Sequence, residues 1–305
     1  MNLSPYSSLH ALLCLLVLIG ATACDRNVAP RSTATKKPVK QYEVRGVFKE
    51  ARDEGRKAVI AHDRIPGYME AMTMPFDVRD TNGLRGLVFG DVIQFRMSVT
   101  DDDGWIDQIS KIGSTRTTNI AAAVPPPAAT PKPWEAELAV GSQMSDFTLT
   151  NQWGKTISLG DYRGSTLVIT FIFTRCPFPV YCPRMNQNFE QVQRKLLADA
   201  PTSGWQLLSI SFDPEYDTPE RLAAHAKGFN ADPARWNFAT GTETEIRRMA
   251  ASLGLAFWKE GASFNHNLRT AVIGPDGKLE ALFRNNEWKP SELVEAMKKS
   301  MAKQR

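Results

Sequence analysis

Two cysteines, Cys176 and Cys182, stand with five residues between them, directly after an apolar run of β-formers at 167–173 and directly before an amphipathic helical pattern. Thiols on a strand-to-helix turn do one of two things: they cycle as a redox dithiol, or they hold a soft metal. Pro183 follows Cys182, and proline favours the first helical position. This predicts Cys182 at the helix N-cap, where the macrodipole favours its thiolate. Arg175 and Arg184 add positive charge there. A plain structural disulfide is the alternative, but so short a loop constrains the unfolded chain little.

A second soft cluster lies far upstream, in His62 and the run Met69-Glu-Ala-Met72-Thr-Met74-Pro-Phe76. Met72 and Met74, two apart on a strand, point to one face, and with a nearby imidazole they make a donor set suited to Cu(I) or Ag(I). They share that face with Phe76 and Val78, so spacing alone reads them equally well as core residues.

Two thiolates make a poor closed metal site, and a third donor is sought among the histidines. His225 falls on a helix starting near Thr218 and reads as a surface residue. His266 sits in the polar turn 261–268, just before a strand at Arg269. Asp213, in Phe212-Asp213-Pro214, either supports the dithiol from behind or is a turn residue.

The elements that must position these groups fall into two domains, as 305 residues allow. Residues 1–24 read as an export signal: 12–19 is unbroken apolar sequence, and Ala21-Thr22-Ala23-Cys24 is a small-residue cleavage site resembling a bacterial lipobox. Cys24 is then either the lipidated first mature residue or simply follows cleavage. The apolar run is too short to span a bilayer as a helix. Residues 25–40 form a polar tether. From 41 to 113 short alternating strands, broken at Asp53-Glu54-Gly55, Asn82-Gly83 and 101–104, predict a small all-β five-stranded OB-like barrel. Residues 114–137 are an Ala/Pro-rich spacer. From 138 to 305 strands and helices alternate as β-α-β followed by α-β-β-α, with the cysteines after the first long strand, which predicts an α/β thioredoxin-like fold. In such a fold the loop carrying His266 lies against the cysteine turn. A net charge of +4 over this length gives no reason to expect nucleic acid.

The stretch from His62 through Met72-Thr73-Met74-Pro75-Phe76 resembles the CusF family of periplasmic copper and silver carriers. That resemblance implies His62, Met72 and Met74 as metal ligands. The family's Trp cap falls near Met69, which becomes a further soft donor, and the His lies one residue nearer the Met pair. Residues 138–305 resemble the Sco (SenC) family of thioredoxin-like copper proteins linked to assembly of the CuA centre of cytochrome oxidase. The resemblance is carried by Thr174-Arg175-Cys176-Pro177, Cys182-Pro183, Ser211-Phe-Asp-Pro-Glu-Tyr-Asp-Thr-Pro-Glu220 and Asn265-His266 leading into Ala271-Val-Ile-Gly-Pro-Asp-Gly277. It implies Cys176, Cys182 and His266 as copper ligands, for Cu(I) or Cu(II). The family usually has three residues between the cysteines; here Pro177-Phe-Pro-Val-Tyr181 makes five, which alters the bite of the pair and the strain of any disulfide.

These readings together predict an extracytoplasmic, membrane-anchored copper metallochaperone that delivers to an acceptor such as an oxidase subunit. A thiol-disulfide reductase acting on a partner's cysteines and a periplasmic copper buffer are the alternatives.

Overall fold

The structure is a computed structural model that describes residues 39–101, 103–115, 137–199, 204–260 and 263–303. The export segment with Cys24, and all but the outermost residues of the tether and the Ala/Pro-rich spacer, lie outside the described residues. No helix among the described residues is long and apolar enough to cross a membrane.

The alternation at 41–113 becomes five strands: β1 (Lys40–Arg52), β2 (Lys57–His62), β3 (Met72–Asp77), β4 (Asp91–Val99) and β5 (Gly104–Ser114). They pair antiparallel in the order β3-β2-β1-β4-β5. A bridge between Val78 and Ile106, with the Arg79 N–H donating to the Ile106 carbonyl at 3.0 Å, draws the two ends of the sheet together into a barrel. The alternate residues Val44, Phe48, Ile60, Phe76, Ile93, Phe95 and Met97 fill its interior. β1 bends through a bulge between Phe48 and Glu50, which lets one 13-residue strand serve both neighbours. Gly46 faces inward where β1 crosses His62, and a Cβ there would meet the Ala61 carbonyl oxygen and Ile60 Cγ2 at 2.7 Å and His62 Cα at 2.9 Å. Gly46→Ala is therefore expected to destabilise the barrel by about 1–3 kcal/mol, read as a lower denaturant midpoint. An unchanged midpoint would mean the crossing is loose.

The rest of the chain supplies β6 (Thr148–Asn151), β7 (Thr156–Ser158), β8 (Thr166–Ile172), α1 (Cys182–Ala198), β9 (Trp205–Ser211), α2 (Pro219–Gly228), β10 (Trp236–Thr240) and α3 (Glu243–Ser252). It ends with β11 (Phe257–Glu260), β12 (Ser263–His266), β13 (Arg269–Ile273), β14 (Leu279–Arg284) and α4 (Pro290–Ala302). Seven strands make one mixed sheet in the order β14-β13-β8-β9-β10-β6-β7, and this is the thioredoxin-like α/β unit expected. Every residue of β8 is buried, as a central strand covered on both faces requires. α1 turns Met185, Phe189, Val192 and Leu196 inward and packs with α4 against β8.

Several local expectations are corrected. Helix α1 begins at Cys182 itself, and Tyr181 is the N-cap. Helix α4 starts at Pro290, and Lys289 before it donates its N–H to the Glu292 carboxylate at 2.9 Å. Strand β10 carries no periodic signal in the sequence and forms because it is the next parallel strand beside β9. The expected polar turn before Arg269 is a two-stranded hairpin, β11 with β12, and His266 ends its second strand opposite Phe257. His225 is not a free surface residue; it is half-buried against Phe229 and Phe238, with its Nε2 2.9 Å from Asn186 Nδ2.

Candidate dithiol and metal site

Strands β8 and β9 run parallel and in register up to the Ile172–Ser211 pair. The segments that follow them therefore leave the sheet side by side at its carboxyl edge, where open α/β sheets build their sites. The first segment carries Thr174, Arg175 and Cys176; the second carries Asp213 and Asp217.

Asp217 is fully buried. One of its oxygens accepts from the Thr174 N–H at 3.0 Å and the Ser211 hydroxyl at 2.5 Å, and the other accepts from the Thr174 hydroxyl. Asp213, also buried, accepts from Arg175 Nε at 2.7 Å, and the Arg175 guanidinium lies 4.6 Å from the Tyr216 ring centre. Two carboxylates thus fix the two residues that precede Cys176. The supporting role weighed for Asp213 is what the geometry gives it. Asp217 was missed, because nothing in Tyr216-Asp217-Thr218 separates a buried anchor from a helix-start residue.

Cys176 is half-buried and Cys182 buried, and both are free thiols. Cys176 Sγ lies 3.8 Å from the Phe178 carbonyl and donates to it. His266 Nε2 lies 4.0 Å from Cys182 Sγ. Its Nδ1 is 2.9 Å from the Asn267 carbonyl and donates to it, which aims Nε2 at the thiols. The Phe173 and Phe212 rings, 5.8 and 5.0 Å from the imidazole, hold it there.

This set fits a soft ion. Two ligands about 2.0–2.3 Å from one ion stand about 3.5–4.3 Å apart between tetrahedral and linear arrangements, and the Cys182–His266 separation falls in that span. Among the described residues no three His, Cys, Asp or Glu side chains are already gathered into a closed cluster. The partly exposed Cys176 is the donor with room to adjust.

The two thiols differ in the direction opposite to the one the N-cap argument predicts. Burial disfavours both thiolates, but hydrogen bonds from Cys182 and His266 and the His266 charge outweigh it at Cys176, whose thiol titrates well below the ordinary range. At Cys182 burial and then the neighbouring Cys176 push the thiol well up. In the metal-free reduced chain Cys176 is therefore expected to alkylate at least about tenfold faster than Cys182 at neutral pH. Its rate falls only as pH drops through its lowered range and the thiolate protonates. Peptide mass spectrometry after brief iodoacetamide treatment measures this; equal labelling would contradict it.

The upstream set is built by register. His62 on β2 pairs directly with Met72 on β3, and Met72, Met74 and Phe76 all turn inward. His62 Nδ1 donates to the Asp63 carbonyl at 2.8 Å, as His266 does to its own neighbour, and this leaves Nε2 buried with no hydrogen-bond partner. Burial lowers the pKa of His62, which keeps the imidazole neutral and its lone pair open. A buried, unpartnered imidazole nitrogen opposite a thioether is a donor pair that a soft ion satisfies.

The structure also brings members of the two sets together, although His62 and Cys182 do not line the space they share. Met69, Met72 and Met74 from the barrel and Cys176 and His266 from the thioredoxin-like unit line one cavity of about 30 Å³, walled by Phe173, Phe178, Tyr181 and Phe264. That volume holds on the order of one or two water-sized guests. Both units belong to the single compact body Lys37–Arg305.

A dithiol on the strand-to-helix turn of a thioredoxin-like sheet, completed by a histidine and faced by a methionine-bearing barrel, defines a soft-metal thiol protein. The chain belongs to the SCO1/SenC family, whose model matches residues 136–302. The model for the copper binding periplasmic protein CusF matches residues 41–111. Among relatives, the SCO1 protein homolog of Bacillus subtilis is 32% identical over 141 residues, covering 45% of this chain and 71% of that one. The mitochondrial SCO1 homolog of Homo sapiens is 30% identical over 149 residues, 47% of this chain and 48% of the relative, so the chain spans about half its length. Among solved structures, Bradyrhizobium japonicum ScoI with copper bound is 27% identical, covers 52% of this chain and 99% of its own, and aligns with a TM-score of 0.44.

Proposed function

We propose that the chain is an extracytoplasmic copper metallochaperone: His62, Met72 and Met74, with Met69 beside them, take up Cu(I), and Cys176, Cys182 and His266 hold it for delivery. The observation that supports this reading is the shared cavity, where the Met69, Met72 and Met74 thioethers of one unit face the Cys176 thiol and the His266 imidazole of the other. All of these donors are soft or borderline, the chemistry that selects Cu(I) over the harder divalent cations. Cu(II) is the second state the Cys/Cys/His set accommodates. The copper is cargo, so the chain's own work is to bind it, exclude water from it and give it up.

The acceptor that family membership favours is an oxidase subunit with a CuA-type centre. In copper-limited cells lacking this chain, oxidase activity is expected to fall. The wild-type chain restores it and His266→Ala does not. Full restoration by His266→Ala would remove the delivery role, and a defect seen only as poor growth in excess copper would mark a buffer. Attachment through a lipidated Cys24 is part of the same reading, and Cys24→Ala is expected to move the protein from the membrane to the soluble extracytoplasmic fraction.

A thiol-disulfide reductase is favoured by one observation, the unequal exposure of the thiols: a partly exposed Cys176 to attack and a buried Cys182 to resolve. Turnover of a disulfide substrate that survives His266→Ala would select it.

A further inference from the structure

The five residues between the cysteines leave the unit that carries them and enter the barrel. Phe178 and Val180 are 2% and 3% exposed, and both belong to the barrel's hydrophobic core. Phe178 stands edge-on to Phe76 with ring centres 5.9 Å apart. Its ring lies so close over Gly104 that a Cβ there would come within 2.8 Å of it. Phe178 and Val180, two apart, reach the barrel, while the Val180 carbonyl accepts from Asn286 Nδ2 at 2.6 Å on the thioredoxin-like side.

Hydrogen bonds continue the seam on both sides of the plug. The Tyr68 hydroxyl of the barrel donates to the Pro177 carbonyl at 2.9 Å. Strand β3 is the outer strand of its sheet, and Thr73 and Pro75, two apart, present backbone groups on that open edge. The Thr73 N–H donates to the Glu260 carboxylate at 3.1 Å, and the Pro75 carbonyl accepts from the Tyr181 hydroxyl. Both groups lie within the run Met72-Thr73-Met74-Pro75. The edge of the methionine strand is thus closed by the hairpin that carries His266 and by the residue before Cys182.

We propose that residues 177–181 are a docking plug that seats the barrel over the dithiol, and that copper passes between the Met/His set and the Cys/Cys/His set inside one chain, without release to water. This rests on the copper reading above and adds its route. The step is ligand exchange: each thioether–copper or imidazole–copper bond that breaks is replaced by a bond to Cys176, Cys182 or His266. The ion stays Cu(I), no electron moves, and any thiol proton displaced goes to water. Delivery to an outside acceptor then requires the barrel to unseat, because in the docked chain Cys182 is buried and Cys176 only partly exposed.

The test uses the full chain. The dithiol is first oxidised with diamide, one equivalent of Cu(I) is bound anaerobically, and reductant is added together with excess bathocuproine disulfonate, which captures any Cu(I) that reaches water. The wild-type chain is expected to keep most of its copper, with the thiolate–copper absorption band appearing. In Gly104→Ala, which fills the notch under Phe178 and leaves both cysteines unaltered, and in Phe178→Ala, the ratio of kept to captured copper is expected to fall about tenfold or more. Titration of both sites in the same variants separates a folding fault, seen as lost capacity, from lost docking. Tyr68→Phe removes one seam hydrogen bond without changing volume, and should Phe178→Ala misfold, Tyr68→Phe and Gly104→Ala decide. Variants that retain copper as the wild type does overturn the plug. A wild-type chain that binds copper but surrenders all of it to the chelator overturns this route alone, whereas one that binds none overturns the copper reading beneath it.

Discussion

Asp217→Ala is expected to cost about 3 kcal/mol or more of the stability of the thioredoxin-like unit, although Asp217 touches neither thiol in the hydrogen-bond network. Its carboxylate is fully buried and satisfies the Thr174 N–H, the Thr174 hydroxyl and the Ser211 hydroxyl. Removal leaves these donors unpaired where water does not reach, at about 1–3 kcal/mol each before relaxation. Asp217→Asn keeps the shape and one good acceptor, and is expected to fall between wild type and Asp217→Ala. Because Thr174 lies two residues before Cys176, copper affinity at the dithiol should weaken with stability. Denaturant midpoints measure the first effect and chelator competition the second. A change below about 0.5 kcal/mol, the range of ordinary surface substitutions, would show that the Thr174 turn holds itself.

Cys176→Ala is expected to abolish copper binding at the dithiol while leaving the barrel's ion in place. Losing a group that merely supports a ligand costs about 10- to 100-fold in affinity, and that is the loss expected for Asp213→Ala, which frees Arg175. Losing one of two thiolates is expected to exceed it clearly. His266→Ala should resemble Cys176→Ala more than Asp213→Ala, since its Nε2 points at the thiols and its Nδ1 is already engaged. If Cys176→Ala weakened copper only as far as Asp213→Ala does, Cys176 would be a neighbour of the site rather than a ligand.

Much of this was legible in the residues themselves. Strand alternation gave the barrel because its interior is filled by every second residue, and the apolar run at 167–173 gave β8 because a strand buried on both faces has no charged positions. The candidate donors stood out as well, since Cys, Met and His are few and their spacing is informative. What pairs with them across space was not. Asp217 looks like any acidic residue before a helix, and its role exists only because β8 and β9 are parallel neighbours. The N-cap argument placed the thiolate on Cys182, but burial and the hydrogen bonds of Cys182 and His266 favour it on Cys176. Phe178 and Val180 read as an oddity of cysteine spacing, because the core they join, with Phe76 and Gly104 against Phe178, is that of the barrel.

Anaerobic Cu(I) titration of the full chain, run beside Met72→Ala/Met74→Ala and Cys176→Ala, tests the central claim most directly. Two soft donor sets predict about two Cu(I) per wild-type chain, one lost with the methionine pair and the other with Cys176. A single ion that is indifferent to the methionine substitutions would contradict the account.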